Sequence, residues 1–239
     1  MIFVTGDIHG ELERFQAKEI KALKKTDTLI ILGDFGFLWA GTAAEKKALD
    51  WLAKRPYRVL FLDGCHENFD LLNAYPVVEL LGGKAHHLGG NLYHICRGSL
   101  LTLENRTLFC LGGGESADVE DREEGVNWWR QELPEPEEIA ACRALMEERS
   151  WQVDYILTHD APSRILEFMG VPGQKEERLN VLQIFLNELN EKGQYSRWLF
   201  GRYHEDRRLG TKMQEVFCGV IRLESEEPAK KRGLFGRSR

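Results

Sequence analysis

The residues able to do chemistry stand at the ends of apolar runs. Thr28-Leu29-Ile30-Ile31-Leu32 leads through Gly33 to Asp34. Ile2-Phe3-Val4 leads to Asp7 and His9, and residues 58–62 lead to Cys65 and His66. Residues 154–158 end at His159, and residues 197–201 run on toward His204. Carboxylate, imidazole and thiolate are metal ligands, and this mixture suits Mn, Fe or Zn better than Ca or structural Mg, which take all-oxygen shells. One carboxylate can bridge two cations roughly 3.5–4 Å apart, the spacing of two-metal hydrolases. Taken singly, each residue has an ordinary role: Gly33-Asp34 reads as a turn and Asp7 as a helix cap. The recurrence of one design makes a candidate site.

The elements that must position these residues follow from the pattern. The run before Asp34 reads as a strand buried on both faces, and the carboxyl ends of such strands are where open α/β sheets bind ligands. A helix is predicted over 11–25, with Leu12, Phe15, Ile20 and Leu23 as its apolar stripe. Thr42 and Glu45 form a capping box for a helix through Lys54, which Pro56 stops. A short helix is expected through Tyr75, another from Pro136 to about Glu148, and a third over 179–192 closed by Gly193. Residues 92–96, 100–103 and 107–111 read as short antiparallel strands, and 213–218 with 220–223 as a closing hairpin. Residues 117–138 read as a long ordered loop anchored by Trp128 and Trp129. Gly112-Gly113-Gly114 lacks the Lys-Ser/Thr ending of a P-loop and reads as a tight turn. Adjacent residues on a strand point to opposite faces, so for His86 and His87 a loop or strand-entry role is expected rather than a metal pair. Arg122 lies in the long loop, where a surface salt bridge is the commoner role and a substrate contact the alternative.

The 239 residues are 43% hydrophobic and 29% charged, an ordinary globular composition, and the net charge of −6 argues against a dedicated nucleic-acid binder. No apolar run reaches the length of a membrane span, and the chain enters a strand at once without a signal peptide, so a cytoplasmic protein is expected. The five cysteines include no CxxC pair, which argues against a disulfide framework or zinc knuckle; all but Cys65 read mostly as small core residues. One domain is expected over 1–224, followed by a basic, disordered tail over 225–239.

The order of these motifs resembles that of the calcineurin-like metallophosphoesterases. Asp7-Ile8-His9, Gly33-Asp34, Gly64-Cys65-His66-Glu67, Thr158-His159-Asp160 and Gly201-Arg202-Tyr203-His204 are similar to the family's DxH, GD, GNH(D/E), strand-end H and GHxH. The glycine run and Trp128-Trp129 are similar to small bacterial and phage-type members, and Phe35-Gly36-Phe37 after Asp34 sets the chain apart from the Ser/Thr protein phosphatases. The resemblance implies an α/β four-layer α/β/β/α sandwich with two mixed sheets. It implies hydrolysis of a phosphate mono- or diester by in-line attack of a metal-bound hydroxide, with a phosphorylated substrate as the partner; the run lengths and charge above point to no membrane partner and do not indicate nucleic acid. Asp7, His9, Asp34 and His204 would hold the first metal, and Asp34, Cys65 and His159 the second, with His66 as proton donor. One or two divalent ions are implied, Mn first, Fe or Zn as alternatives.

Two positions depart from the family pattern: Cys65 stands where it has Asn, and Arg202 where it has the first His of GHxH. A thiolate ligates, whereas arginine offers only donors. Three outcomes stay open. Arg202 pairs with the substrate phosphate in place of a metal ligand; the second site is weakly occupied, by Zn with Cys65; or the domain is a catalytically impaired binding or scaffold module.

Overall fold

The computed structural model describes residues 1–172 and 179–223. The chain is mixed α/β with two mixed sheets. In the first sheet, β1 (Ile2–Thr5), β2 (Thr28–Ile31) and β3 (Arg58–Phe61) run parallel. β4 (Val77–Leu80), β5 (Gly83–Gly89) and β6 (Leu92–Ile95) extend it as an antiparallel meander, with β6 parallel to β3. In the second, β7 (Ser99–Leu103) and β8 (Arg106–Leu111) form a hairpin, and β9 (Tyr155–Thr158) and β10 (Arg197–Phe200) continue parallel to β8. β11 (Arg207–Leu209) and β12 (Met213–Glu215) close that sheet's edge, while β13 (Ile221–Leu223) returns to the first sheet and pairs antiparallel with β1. The helices are α1 (Lys18–Lys21), α2 (Ala43–Ala53), α3 (Phe69–Asn73), α4 (Pro136–Glu148), α5 (Ser163–Met169) and α6 (Val181–Lys192).

Strand alternation sorts the core. Ile30, Leu60, Leu108, Leu157 and Leu199, drawn from both sheets, meet in one buried cluster. Their neighbours turn the other way: Leu29, Ile31, Val59 and Phe61 pack with Leu49 and Leu52 of α2, and Phe109, Ile156, Trp198 and Phe200 pack with Met146 of α4 and Phe185 of α6. Every residue of β2 and β9 is buried, which is why their centres, Leu29-Ile30-Ile31 and Ile156-Leu157, are apolar without alternation. The parallel strands β1, β2 and β3 point their carboxyl ends one way, as do β9 and β10, and those ends carry the candidate ligands.

The capping box at Thr42 and Glu45, the helix Pro136–Glu148 and the facing of His86 and His87 agree with expectation: His86 stacks on His94, and His87 stacks on Tyr93. Residues 11–25 differ. Leu12–Gln16 is a 3-10 turn, and α1 follows as a single turn after Ala17 leaves the helical region at ψ 139°. Arg14 explains the break, because its guanidinium donates to the carbonyl oxygens of Asp7 and Phe217 and holds the turn against the site. The expected closing hairpin is also replaced: β12 and β13 lie in different sheets, and the Asp206 carboxylate accepts from the backbone of Phe217, Cys218 and Gly219 where the chain changes sheet. β4, β5 and α5 were not legible as elements. The expected start of the last helix moves from 179 to Val181, with Asn180 as its cap. The tail over 225–239 and the last residue of the expected domain lie outside the described residues. No helix among the described residues is long and apolar enough to cross a membrane, and the five cysteines are free.

Candidate metal centre

Distant segments converge at the strand ends. The ligand atoms of Asp7, His9 and His204 lie within 4.8 Å of one another, as do those of Asp34, Cys65 and His159, and those of His9, Asp34 and His66. His204 Nε2 is 3.2 Å from Asp7 Oδ2 and 3.0 Å from His9 Nε2. His9 Nε2 is 3.8 Å from Asp34 Oδ2, so Asp34 stands between the first two groups.

The backbone is bent to make this possible. His9, Asp34, Arg202 and His204 all have positive φ, at 48°, 42°, 78° and 60°. Left-handed conformations outside glycine are uncommon and cluster at functional sites. Gly64 lets the third strand's loop pass under Asp34, since a Cβ there would sit 2.0 Å from Asp34 Oδ1. Gly201 does the same beside Asp7, at 2.3 Å from its Oδ1. Gly6 donates to the Phe217 carbonyl oxygen at 3.1 Å, and the Phe217 ring stacks on His204, which fixes the Asp7 loop from the C-terminal side.

The donor set fits a cation. His159 is fully buried, and its Nδ1 donates to the Leu32 carbonyl oxygen at 2.8 Å. That leaves Nε2 as a lone pair with no hydrogen-bond partner among the described residues, 3.6 Å from Asp34 Oδ1. A buried acceptor facing a carboxylate is costly unless a positive centre lies between them. Burial pushes the Asp34 carboxyl up, but its surroundings, among them the hydrogen bonds from the His66 ring and backbone, outweigh it and hold it well below the usual carboxylate range. Burial, with Asp34 adding to it, pushes the Cys65 thiol well up. The hydrogen bond that His204 donates to the Asp7 carboxylate raises its affinity for a proton, and burial lowers that of His9.

His66 finds the orienting partner that its sequence neighbours do not supply. Its backbone N–H donates to Asp34 Oδ1 at 2.8 Å and its Nδ1 lies 3.0 Å from Asp34 Oδ2, a hydrogen bond that raises its affinity for a proton. On its other side, Arg122 Nη2 lies 3.0 Å from His66 Nε2, while the same guanidinium grips Asp118 at 2.7 and 2.9 Å. Arg122 thus makes a salt bridge and also faces the candidate proton donor.

Arg202 donates its backbone N–H to the Asp7 carboxylate at 3.0 Å, and its guanidinium donates to Asp160 Oδ2 and to the Glu115 carbonyl oxygen. Asp160 also accepts from Tyr203 Oη and Gln183 Nε2. Sequence reasoning left Asp160 without a role, although its place directly after His159 was the available signal. Glu67, buried, accepts from the Phe35 backbone at 2.8 Å and braces the Asp34 loop. The glycine run turns as expected, with Gly113 at φ 95°, and delivers Glu115 and Ser116 to the site. Trp129 is buried and donates to Asp70 at 2.8 Å, in keeping with an anchoring role. A cavity of about 510 Å³ opens over the centre, lined by Asp34, Cys65, His66, Arg122, Arg202 and His204 and walled on one side by Val171, Pro172 and Leu179.

No curated protein matches the chain. A family model for calcineurin-like phosphoesterases matches residues 1–192, which include Asp7, His9, Asp34, Cys65, His66 and His159 and end before Arg202 and His204. Members of that family are divalent-metal-dependent phosphoesterases, and the convergent donor groups agree with that chemistry. By a match over most of its length and by the two mixed sheets that carry the donors, the chain belongs to the calcineurin-like phosphoesterase family.

Proposed function

We propose that the protein hydrolyses a phosphate mono- or diester. The observation that carries this reading is the buried Nε2 of His159, without a hydrogen-bond partner among the described residues, facing Asp34 beside a second donor group. Asp7, His9, Asp34 and His204 are the residues to hold one divalent cation, and Asp34, Cys65 and His159 a second, with Mn, Fe or Zn suited to these donors. Such cations neutralise phosphate oxygens and activate water for in-line attack.

The chain's own residues supply the rest. Asp34 orients His66 through Nδ1, and His66, lining the cavity with Arg122 against its Nε2, is the residue to deliver a proton to the leaving oxygen. Arg122 and Arg202, both lining that cavity, offer N–H donors to the phosphate. The apolar wall of Val171, Pro172 and Leu179 receives the leaving group.

The test is hydrolysis of p-nitrophenyl phosphate and its bis ester by the purified full-length chain with added Mn or Zn. Activity is expected, and His66→Gln is expected to lower kcat by about 10²–10⁴-fold while metal content stays unchanged. Inertness with every metal, together with recovery of activity in the Cys65→Asn, Arg202→His double variant, supports a second reading instead. That reading is an impaired domain that binds without turning over, favoured by the fixed charge of Arg202 beside the second donor group.

A further inference from the structure

A second hollow lies away from the donor groups. It encloses about 500 Å³, and its lining includes Ser196, Arg197, Arg208, Gln214 and Arg222 and, among the described residues, no carboxylate. It shares no lining residue with the cavity over the metal centre. Arg197 opens β10, whereas His204 follows that strand's other end, so about one strand length, roughly 13 Å, separates the two.

Strand register gathers the arginines. Arg197 and Leu199 share a face of β10, and Leu199 packs in the cluster drawn from both sheets. Gln214 is the register partner of Leu199, and Arg208 that of Gln214, so Arg197, Arg208 and Gln214 all face the first sheet. Arg222 reaches the same hollow from β13, the edge of the first sheet. The Arg197 guanidinium donates to Gln214 Oε1, which orients it. Arg208 and Arg222 are exposed and make no ion pair among the described residues. Charged residues on edge strands also keep them from pairing with another chain, and β11 and β13 are both edges. That role accounts for Arg208 and Arg222 but not for Arg197, whose strand lies inside its sheet.

We propose that this hollow is a binding site for a small anion carrying two or more phosphates in a row. Guanidinium forks pair with phosphate oxygens, and Ser196 and Gln214 add neutral donors. Like charges gathered around one hollow repel, a cost that an anion between them removes. Hollows of roughly 300–1,000 Å³ take small-molecule ligands, and a lone phosphate would leave most of this one empty. The net charge of −6 disfavours a nucleic-acid strand as the occupant.

The experiment is isothermal titration of the full-length chain, without added metal, with inorganic triphosphate. Saturable one-to-one binding is expected that survives Arg122→Gln in the cavity over the metal centre. It is expected to weaken at least about tenfold in Arg208→Gln and in Arg222→Gln, with Arg208→Lys, which keeps the charge but not the fork, falling between. Orthophosphate is expected to bind at least about tenfold more weakly than triphosphate, and Arg222→Gln to hydrolyse p-nitrophenyl phosphate as wild type does. No binding by wild type, or equal binding in the Arg208→Gln and Arg222→Gln variants, overturns the proposal. Loss in Arg122→Gln alone overturns it too, since the anion then sits in the other cavity. Binding that appears only after Glu224, Glu226 and Glu227 are changed to Gln assigns the arginines to the chain's own acidic stretch and also overturns it. Orthophosphate as tight as triphosphate overturns the class of ligand. Triphosphate binding without hydrolysis sinks the phosphoesterase reading alone, and hydrolysis without triphosphate binding sinks this site alone.

Discussion

Asp34 serves three neighbours with one carboxylate: the backbone and ring of His66, the thiol of Cys65, and the open nitrogen of His159. Which nitrogen of His66 carries a proton then depends on the other side of the ring, where Arg122 points a cationic donor at Nε2. Asp34 raises the affinity of His66 for a proton, and Arg122 opposes it. Arg122→Met removes the opposing charge, so His66 keeps its proton to higher pH. The alkaline limb of the kcat–pH profile is expected to move upward, and KM to rise about tenfold from the loss of a charged phosphate partner. An unmoved alkaline limb would leave Arg122 as a loop brace tied to Asp118. At this scale the sequence was informative about donors and poor on their partners. Asp7, His9, Asp34, His159 and His204 could be named because each follows an apolar run. Asp160, Glu67 and the pairing of His66 with Asp34 depend on contacts between segments, which spacing does not encode.

At the scale of elements, the end of β3 is fastened by one ion pair. The Asp63 carboxylate is buried, accepts from Arg97 Nε at 2.8 Å and from His94 Nε2 at 3.1 Å, and its backbone carbonyl takes the Gly113 N–H. Arg97 reaches on to the Glu132 carbonyl oxygen, so β3, the glycine run and the long loop share one anchor. Burial alone would push the Asp63 carboxyl up; Arg97 and His94 outweigh it and hold it well below its ordinary value of 3.8. A carboxyl held down in this way contributes stability that is full above 3.8 and drains away as pH falls below it. In Arg97→Met burial prevails and the sign reverses, because the folded state then binds the proton more tightly than the unfolded one. The variant is expected to lose about 3–5 kcal/mol at pH 7 in urea denaturation, and less at about pH 5, where Asp63 is neutralised. A loss that is the same at both values would show that Asp63 is not the buried charge responsible. The elements that could be read in advance were those specified locally, such as the capping box at Thr42 and the Pro136 helix start. The stretch 11–25 departs from its pattern because Arg14 reaches Phe217, far along the chain, and the region after 213 because the Asp206 carboxylate holds the backbone of Phe217 to Gly219 in a turn between sheets.

At the scale of the whole molecule, the candidate donors come from both sheets, with Asp7, Asp34 and Cys65 following strands of one and His159 and His204 following strands of the other. A cation gripped by both sheets binds the native state alone and stabilises it by mass action, by about 2.7 kcal/mol at a hundredfold excess over Kd. For a chain of this size that corresponds to about 5–10 °C in Tm. Calorimetry with a chelator is expected to show the drop, with recovery on adding Zn or Mn and no recovery in Asp34→Asn. A Tm indifferent to chelator and metal alike would remove the cation from the account.

The pairing of β13 with β1, and the grip of the Phe217 carbonyl on Gly6, give the loop of Asp7 its outer support from the far end of the chain. During synthesis the first strand emerges from the ribosome long before its neighbour exists. A nascent chain halted at residue 205 already contains every donor, yet the Asp7 loop still lacks its clasp. Cation uptake is therefore expected to wait for the residues that follow His204, and a C-terminal deletion reaching residue 217 is expected to weaken it without touching a single candidate ligand.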